Sequence, residues 1–329
     1  MIDALTKHQI LIQRYFQGIY KDVEPLIKNM IKDINARIAT ATPAEFDRLF
    51  IIRNELNTII NSHIGQIEDE TIQRLTDFYQ YESKFAINLL DSQTIPSYAV
   101  ISTGLAPEAI SAVISTMPIV LDGKQTTVKD MIKHFGKAQT KGIELAIQTG
   151  IASGRTTDEI VRDVMMLTKT RTPKQAEAVI LTAANATGAK ARAEVWAANS
   201  DILLGERFSA VLDASTTLIC AANDGKIFAI GVGPQPALHF RCRSIRIPEL
   251  KPEYDIARDK GRSSIEGVVS SKTTYSSFIK RQSKEFQEEF FGSVERAKLF
   301  RSGKLTLDQF VDKSGKTYTL EQLARMDLI

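Results

Sequence analysis

The sequence predicts an α+β fold that is predominantly α-helical, and three observations lead to this prediction. Apolar residues recur at three- and four-residue steps through much of residues 1–95, which is the spacing of amphipathic helices. Alanine and other apolar residues keep the same spacing over residues 173–196. Residues 207–247 instead combine short alternating stretches with Gly and Pro, which is typical of small strands joined by turns.

Composition limits the class of protein. The chain has 329 residues, enough for one large or two modest domains. Its hydrophobic content of 43% is sufficient for a packed core, and its net charge of +3 does not require a nucleic-acid partner. No apolar run reaches the roughly 18 residues that a membrane span needs, and residues 1–12 lack the pattern of a secretory signal. Two cysteines in this length favour a reducing compartment.

The first 95 residues are expected to form a helical arm. An apolar stripe over residues 20–38 predicts one helix. Thr42 is expected to cap the next helix, and Pro43 to occupy the first position of that helix. Short connections favour an antiparallel hairpin, and a long helix that docks on a partner protein is the alternative. Pro96 is expected to end this region, because the residue before a proline is disfavoured in helical geometry.

Capping residues locate the middle helices. Thr127 is expected to cap a helix over residues 128–150, and Thr156 with Glu159 predicts a capping box at the start of the following one. The alanine-rich helix comes next, and its small side chains allow neighbouring helices to approach closely. Trp196, the sole tryptophan, is expected to anchor that helix in the core.

The chain is organised around residues 207–247. Residues 208–212 predict a strand, and Asp213 is placed to cap a helical turn over residues 216–222. Gly225 closes an Asn-Asp-Gly tight turn, since glycine adopts positive φ without steric cost. A second strand is predicted over residues 226–230.

Cys220, His239 and Cys242 are the candidate functional residues, because the segment after the second strand is expected to bring them together. A reduced pair beside a hydrogen-bonded histidine, a zinc site and a disulfide are all open, and we favour the reduced pair because free cysteines are readily buried. Zinc would need Asp224 or a water molecule as fourth ligand. A cysteine nucleophile would need Asp213 or Asp224 to orient the histidine, and the apolar surroundings of Cys220 argue against it.

Three arginines follow on the same segment. Arg241, Arg243 and Arg246 are placed either to contact DNA phosphates or to pair with Asp213 and Asp224 inside the fold. Alternation with Ile residues favours a third interpretation, in which the arginines form the solvated face of a strand.

The C-terminal quarter is predicted to return to helix. Residues 251–272 are rich in charge, Ser and Gly, and are expected to form a polar linker or surface loop. An aromatic-rich amphipathic helix is predicted over residues 275–291, with Gly292 at its end, and Thr319 is expected to cap a short final helix.

The order and spacing of the central residues resemble the phage Mu F-like head morphogenesis family, also called minor capsid or minor head proteins. The matching residues are Leu212, Asp213, Thr216, Cys220, Asp224, Gly225, Pro236, Leu238, His239, Cys242 and Arg243. Thr217 and Ser244 stand where that family often has two further cysteines. Residues 118–250 and 273–325 are similar to the family, the latter to its C-terminal segment.

The resemblance implies a minor head protein of a tailed phage or prophage. Such a protein binds the portal inside the procapsid and assists head assembly and DNA delivery, without catalysing a reaction and without a cofactor. It implies location in the capsid interior near the portal, after assembly in the host cytoplasm. The portal protein is the expected partner; the major capsid or scaffolding protein and packaged DNA are further candidates, and no membrane is expected. The alternative is a zinc- or cysteine-dependent hydrolase that uses Cys220, His239 and Cys242.

The resemblance also divides the chain. The expected parts are a portal- or capsid-contacting helical arm (1–95), a Mu F-like domain of helices and a small β-hairpin (96–250), a linker (251–272) and a helical segment packed on that domain (273–329). Within the domain, the residues expected to build the structural motif are Asp213, Thr216, Asp224, Gly225 and Arg243.

Overall fold

A computed structural model describes residues 2–47, 49–102, 104–256, 261–312 and 315–329. Its helices are α1 (Ile2–Ala39), α2 (Pro43–Asp47), α3 (Leu49–Asp91), α4 (Pro107–Thr116), α5 (Val128–Ala152), α6 (Thr157–Thr170), α7 (Thr172–Ala198), α8 (Leu218–Asn223), α9 (Tyr275–Lys280), α10 (Lys284–Phe291), α11 (Val294–Arg301) and α12 (Leu320–Arg325). Its strands are β1 (Ile119–Leu121), β2 (Lys124–Thr126), β3 (Leu203–Ser209), β4 (Ile227–Phe228), β5 (Ile245–Leu250), β6 (Arg262–Ser264) and β7 (Gly267–Val269). The α+β, predominantly helical fold class is therefore confirmed.

The two long N-terminal helices form an antiparallel hairpin. His8 and Glu82 join the start of α1 to the end of α3. Asp33 and His63, at 2.8 Å, join the last third of α1 to the first half of α3. The acidic run at residues 68–70 does not interrupt α3, which is one continuous helix of 43 residues. The hairpin that the short connections predicted is the observed arrangement.

This hairpin packs on the rest of the helical region. The apolar faces of α1 and α3 contact α5, α6 and α7, and one hydrophobic cluster extends from Ile12 through α7 to Cys242. Residue 95 is thus not a boundary between hydrophobic cores. The apolar stripe of residues 20–38 is used inside the molecule, where Val23, Ile27 and Met30 are fully buried.

The predicted helix starts are confirmed by their hydrogen bonds. The Thr127 side chain accepts from the backbone N–H of Asp130, and Thr156 forms a complete capping box with Glu159. Helix α7 extends one residue before and two residues after the predicted 173–196, and Trp196 is fully buried. Local capping chemistry was sufficient to locate these helices.

The central sheet has three antiparallel strands in the order β4-β3-β5. The strand predicted at 208–212 is wrong in its bounds, because β3 begins at Leu203 and ends at Ser209, where its pairing with β5 also ends. Strand β4 keeps two of the five predicted residues, since only Ile227 and Phe228 pair with β3. Pairing with a distant strand, rather than local alternation, determines these ends.

Two predictions for the C-terminal region need correction. The aromatic helix predicted over 275–291 is two helices, because Ser283 accepts from the Phe286 N–H and starts α10 as a new helix. The linker predicted at 251–272 contains the antiparallel hairpin of β6 and β7, and its Arg262 is 3% exposed. Helices α9 to α12 form a second hydrophobic cluster that includes Leu212 and Ala221, so this segment packs on the central region.

Among the described residues, no helix has the length and hydropathy that a bilayer span requires.

Candidate functional site

The three candidate residues converge, as the sequence predicted. Cys220 lies on α8, and His239 and Cys242 lie on the segment that precedes β5. The Sγ atoms of the two cysteines are 3.8 Å apart, and Cys220 Sγ is 3.3 Å from His239 Nε2. Both cysteines are 2% exposed. We call these three residues the Cys/His cluster.

Backbone contacts hold the Cys/His cluster in place. The Gly225 N–H donates to the Phe208 carbonyl at 2.8 Å, and this closes the turn that follows α8. On the other side, the Arg241 N–H donates to Thr182 Oγ1 of α7 at 2.9 Å. Arg241 has a φ of +60°, an unusual value for a residue other than glycine. The turn after α8 is therefore fixed by β3, and the segment that precedes β5 is fixed by α7.

The two thiols and the imidazole influence one another. Hydrogen bonding to Cys242 raises the pKa of Cys220, and burial raises it further. The same hydrogen bond lowers the pKa of Cys242, and His239 beside it lowers that pKa more. Burial alone lowers the pKa of His239, but interaction with Cys242 outweighs it and raises that pKa. The three side chains therefore do not lose their protons independently of one another.

The donor set matches part of a zinc site. Zinc–sulfur and zinc–nitrogen bonds of about 2.3 and 2.1 Å imply sulfurs about 3.8 Å apart and sulfur and nitrogen about 3.6 Å apart on a tetrahedral ion. His239 Nδ1 bonds to the Phe240 carbonyl at 2.9 Å, which leaves Nε2 free to ligate. Within the part of the chain that the structure describes, no fourth cysteine, histidine or carboxylate joins the cluster. Thr217 and Ser244 carry hydroxyl groups, which are not typical zinc ligands, so the set falls short of a closed structural site.

Asp224 is not the fourth ligand. Its two oxygens accept from the backbone N–H groups of Ala210 at 2.7 Å and Tyr275 at 2.6 Å. Both also accept from the Arg262 guanidinium, at 2.6 and 2.9 Å. The carboxylate therefore joins the region that follows β3 to the C-terminal segment, and it is not available as the fourth ligand that the zinc alternative required.

Asp213 has a different role from the predicted one. Helix α8 begins at Leu218, and Thr217 occupies its cap position without a side-chain hydrogen bond. Asp213 instead accepts from the Ser215 N–H at 3.0 Å and from both terminal nitrogens of Arg243, at 2.6 and 2.9 Å. Because Asp213 and Asp224 are both engaged elsewhere, neither orients His239 as a catalytic carboxylate would.

The arginines do not form a solvated strand face. Arg243 pairs with Asp213, as one of the sequence alternatives predicted. Arg246 is 3% exposed, pairs with Glu206 at 3.0 Å and lies 4.8 Å from the Phe228 ring centre. Arg241 reaches Glu177 of α7 at 2.7 Å. Arg246 is therefore held inside the protein and is unable to reach DNA, whereas Arg241 forms its ion pair at the surface, where its side chain is 49% exposed.

Sequence reasoning missed a second set of buried charges and a large cavity. His8 and Arg192 both bond to Glu82, which is fully buried. Glu82 lies four residues after Phe78 on the apolar face of α3, and that position was the available signal. The cavity, of about 1310 Å³, lies between α7, the β1–β2 hairpin and residues 231–238. It has no local sequence signature, because distant segments form its walls.

Comparisons of this chain with models of known protein families, with curated proteins and with solved structures find no match.

Proposed function

We propose that this chain is a minor head protein of a tailed phage or prophage, which binds the portal inside the procapsid and assists head assembly and DNA delivery. The observation that carries the proposal is the motif that resembles Mu F-like head proteins. Three contacts fix the residues of this motif, which we call the central motif. Arg243 pairs with Asp213, Asp224 accepts from the first residue of α9, and Gly225 closes the turn next to the Cys/His cluster.

The geometry of the Cys/His cluster favours a binding role over the hydrolase alternative. A cysteine nucleophile needs contact with its substrate and a base oriented by a third group. Both sulfurs are buried, and the partner of His239 Nδ1 is a backbone carbonyl rather than a carboxylate. We therefore interpret the cluster as a set of buried contacts that closes a loop inside the protein rather than as a group that contacts a substrate.

The packing changes which surface of residues 1–95 is expected to contact the portal. Most of the apolar stripe that suggested docking is covered by α5 to α7. The large hydrophobic side chains that the described parts of α1 and α3 still expose are Ile10, Leu11, Tyr15, Phe50 and Tyr81. Phe50 lies at the opposite end of α3 from Tyr81, so we assign the portal or capsid contact to the surface around Tyr15 and Tyr81, whose rings are 5.7 Å apart, with packaged DNA as a non-specific further contact.

Co-expression with the portal protein of the same phage genome tests the proposal. We expect a tagged chain to retain the portal on affinity purification, and a Leu11→Asp/Tyr15→Asp variant to lose it while keeping its melting temperature. Lys28→Asp, at an exposed position on the same helix, is the matched control. If the chain neither retains the portal nor occurs in purified virions by mass spectrometry, the proposed function is wrong.

A further inference from the structure

A second cavity lies apart from the Cys/His cluster, between α1, the segment after β3 and the β6–β7 hairpin. Its volume is about 310 Å³. Two glutamines of α1, Gln9 and Gln13, line it together with aliphatic side chains that include Leu212 and Ile245. This volume is near the lower limit for a small-molecule pocket, and it suits a fragment-sized group.

The glutamines carry amide atoms without partners. Gln9 is 4% exposed, and its Oε1 has no hydrogen-bond partner, although its Nε2 donates to Asn185 Oδ1 at 3.3 Å. Nε2 of Gln13 is likewise buried without a partner. Buried amides are normally satisfied, so these two indicate a group that completes them.

The charges around the cavity exclude an ionic ligand. Asp213 and Arg243 both line it, but two hydrogen bonds join them, at 2.6 and 2.9 Å, and their charges cancel. The other lining side chains are uncharged. A carboxylate or ammonium group would lose its hydration here without gaining a free counter-charge. The ligand is therefore expected to be neutral.

We propose that this cavity binds a primary carboxamide carried on an apolar stem. A carboxamide offers both an N–H donor and a carbonyl acceptor, and so complements the amides of Gln9 and Gln13 in either orientation. Ile10 and Ile265 also line the cavity and are 55% and 57% exposed, so they are placed to contact the stem. Two sources share this chemistry: a free small amide, and a glutamine or asparagine side chain of a partner protein.

Saturation-transfer NMR on the full chain tests the site with three probes. These are benzamide, its charged isostere benzoate, and N-acetylglutamine methylamide as a mimic of a protein side chain. We expect benzamide to bind at least ten times more tightly than benzoate, and Gln9→Leu to abolish binding. Gln66→Leu, at an exposed position on α3, is the matched control and should bind as the unaltered protein does.

A second variant guards against misfolding of Gln9→Leu. Ser263→Phe fills the cavity from the β6–β7 hairpin without changing α1, and should also abolish binding. Tighter binding of the glutamine mimic than of benzamide would support a protein partner, and the reverse would support a small molecule. Equal binding of benzoate and benzamide, binding that persists in both variants, or no binding of either amide would overturn the proposal.

Discussion

At the scale of single residues, adding a side chain is expected to have different effects on stability at two glycines. Gly225 has a φ of +83°, and an added Cβ would lie 2.8 Å from Thr274 Cγ2. Gly65 lies inside α3, and an added Cβ would meet no atom within 4 Å. Backbone conformation and the space around it, rather than the residue type, therefore decide what a substitution costs.

We expect Gly225→Val to lower the free energy of unfolding by about 1–3 kcal/mol, because valine is strained at positive φ. Gly65→Val is the matched control and should change it by less than about 0.5 kcal/mol, since valine and glycine have similar helix propensities. Urea unfolding followed by circular dichroism measures both. Equal effects of the two substitutions would contradict the turn geometry.

The Cys/His cluster also makes a prediction at this scale. Only three zinc-type ligands converge among the described residues, so we expect elemental analysis of protein purified without chelators to show no stoichiometric zinc. Packing should then close the loop, and Cys220→Ser/Cys242→Ser should fold with about 1–2 kcal/mol less stability, in keeping with the small apolar area of two cysteines. One tightly held zinc per chain that is lost in this variant would show that a metal closes the loop.

At the scale of secondary-structure elements, the β6–β7 hairpin is more than a connection. Arg262 at its start bonds to both oxygens of Asp224 and to the carbonyl oxygens of Ala210 and Thr273. The hairpin thereby joins the central sheet to α9, whose first residue, Tyr275, also bonds to Asp224. A segment that is polar in composition is thus anchored by one buried ion pair.

Arg262→Leu is expected to cost about 3–5 kcal/mol of unfolding free energy, because it leaves the buried Asp224 carboxylate without its counter-charge. Arg281→Leu, at an exposed position beyond α9, is the control and should change stability by less than about 0.5 kcal/mol. Chemical denaturation of the two variants in parallel is the measurement. A small effect of Arg262→Leu would mean that the hairpin does not anchor this region.

At the scale of the whole molecule, the long N-terminal hairpin is part of the fold. Buried residues of α1 and α3 belong to the same hydrophobic cluster as those of α5 to α7. The packing between α3 and α5 is close, because a Cβ added to Gly136 of α5 would lie 2.8 Å from the Cγ1 atom of Ile64 of α3. An arm that folded separately would not share its core in this way.

Deletion of residues 1–95 is therefore expected to expose the apolar faces of α5 and α7 and to leave residues 96–329 without a cooperative unfolding transition. Co-expression of the two fragments should restore a soluble complex, since the buried faces remain complementary. Size-exclusion chromatography and thermal unfolding distinguish the outcomes. A monomeric 96–329 fragment that melts like the full chain would indicate that residues 1–95 form a dispensable arm.

The sequence by itself determined much of the local structure. Helix starts at Thr127 and Thr156, the antiparallel hairpin and the turn at Gly225 follow from caps, apolar periodicity and backbone freedom, which act over a few residues. The convergence of Cys220 with His239 and Cys242 was also predictable, because only a tight turn, the two-residue strand β4 and a loop separate Cys220 from the other two in sequence.

Only the tertiary structure decided the partners of charged groups and the ends of strands. Arg246 has a solvent-facing pattern in sequence, yet it is buried with Glu206, and Asp224 binds Arg262 rather than a metal. The core shared across residue 95 and the amide-lined cavity at Gln9 were equally hidden. Each depends on segments far apart in the chain, and residue order alone does not specify which buried charge or open surface they will meet.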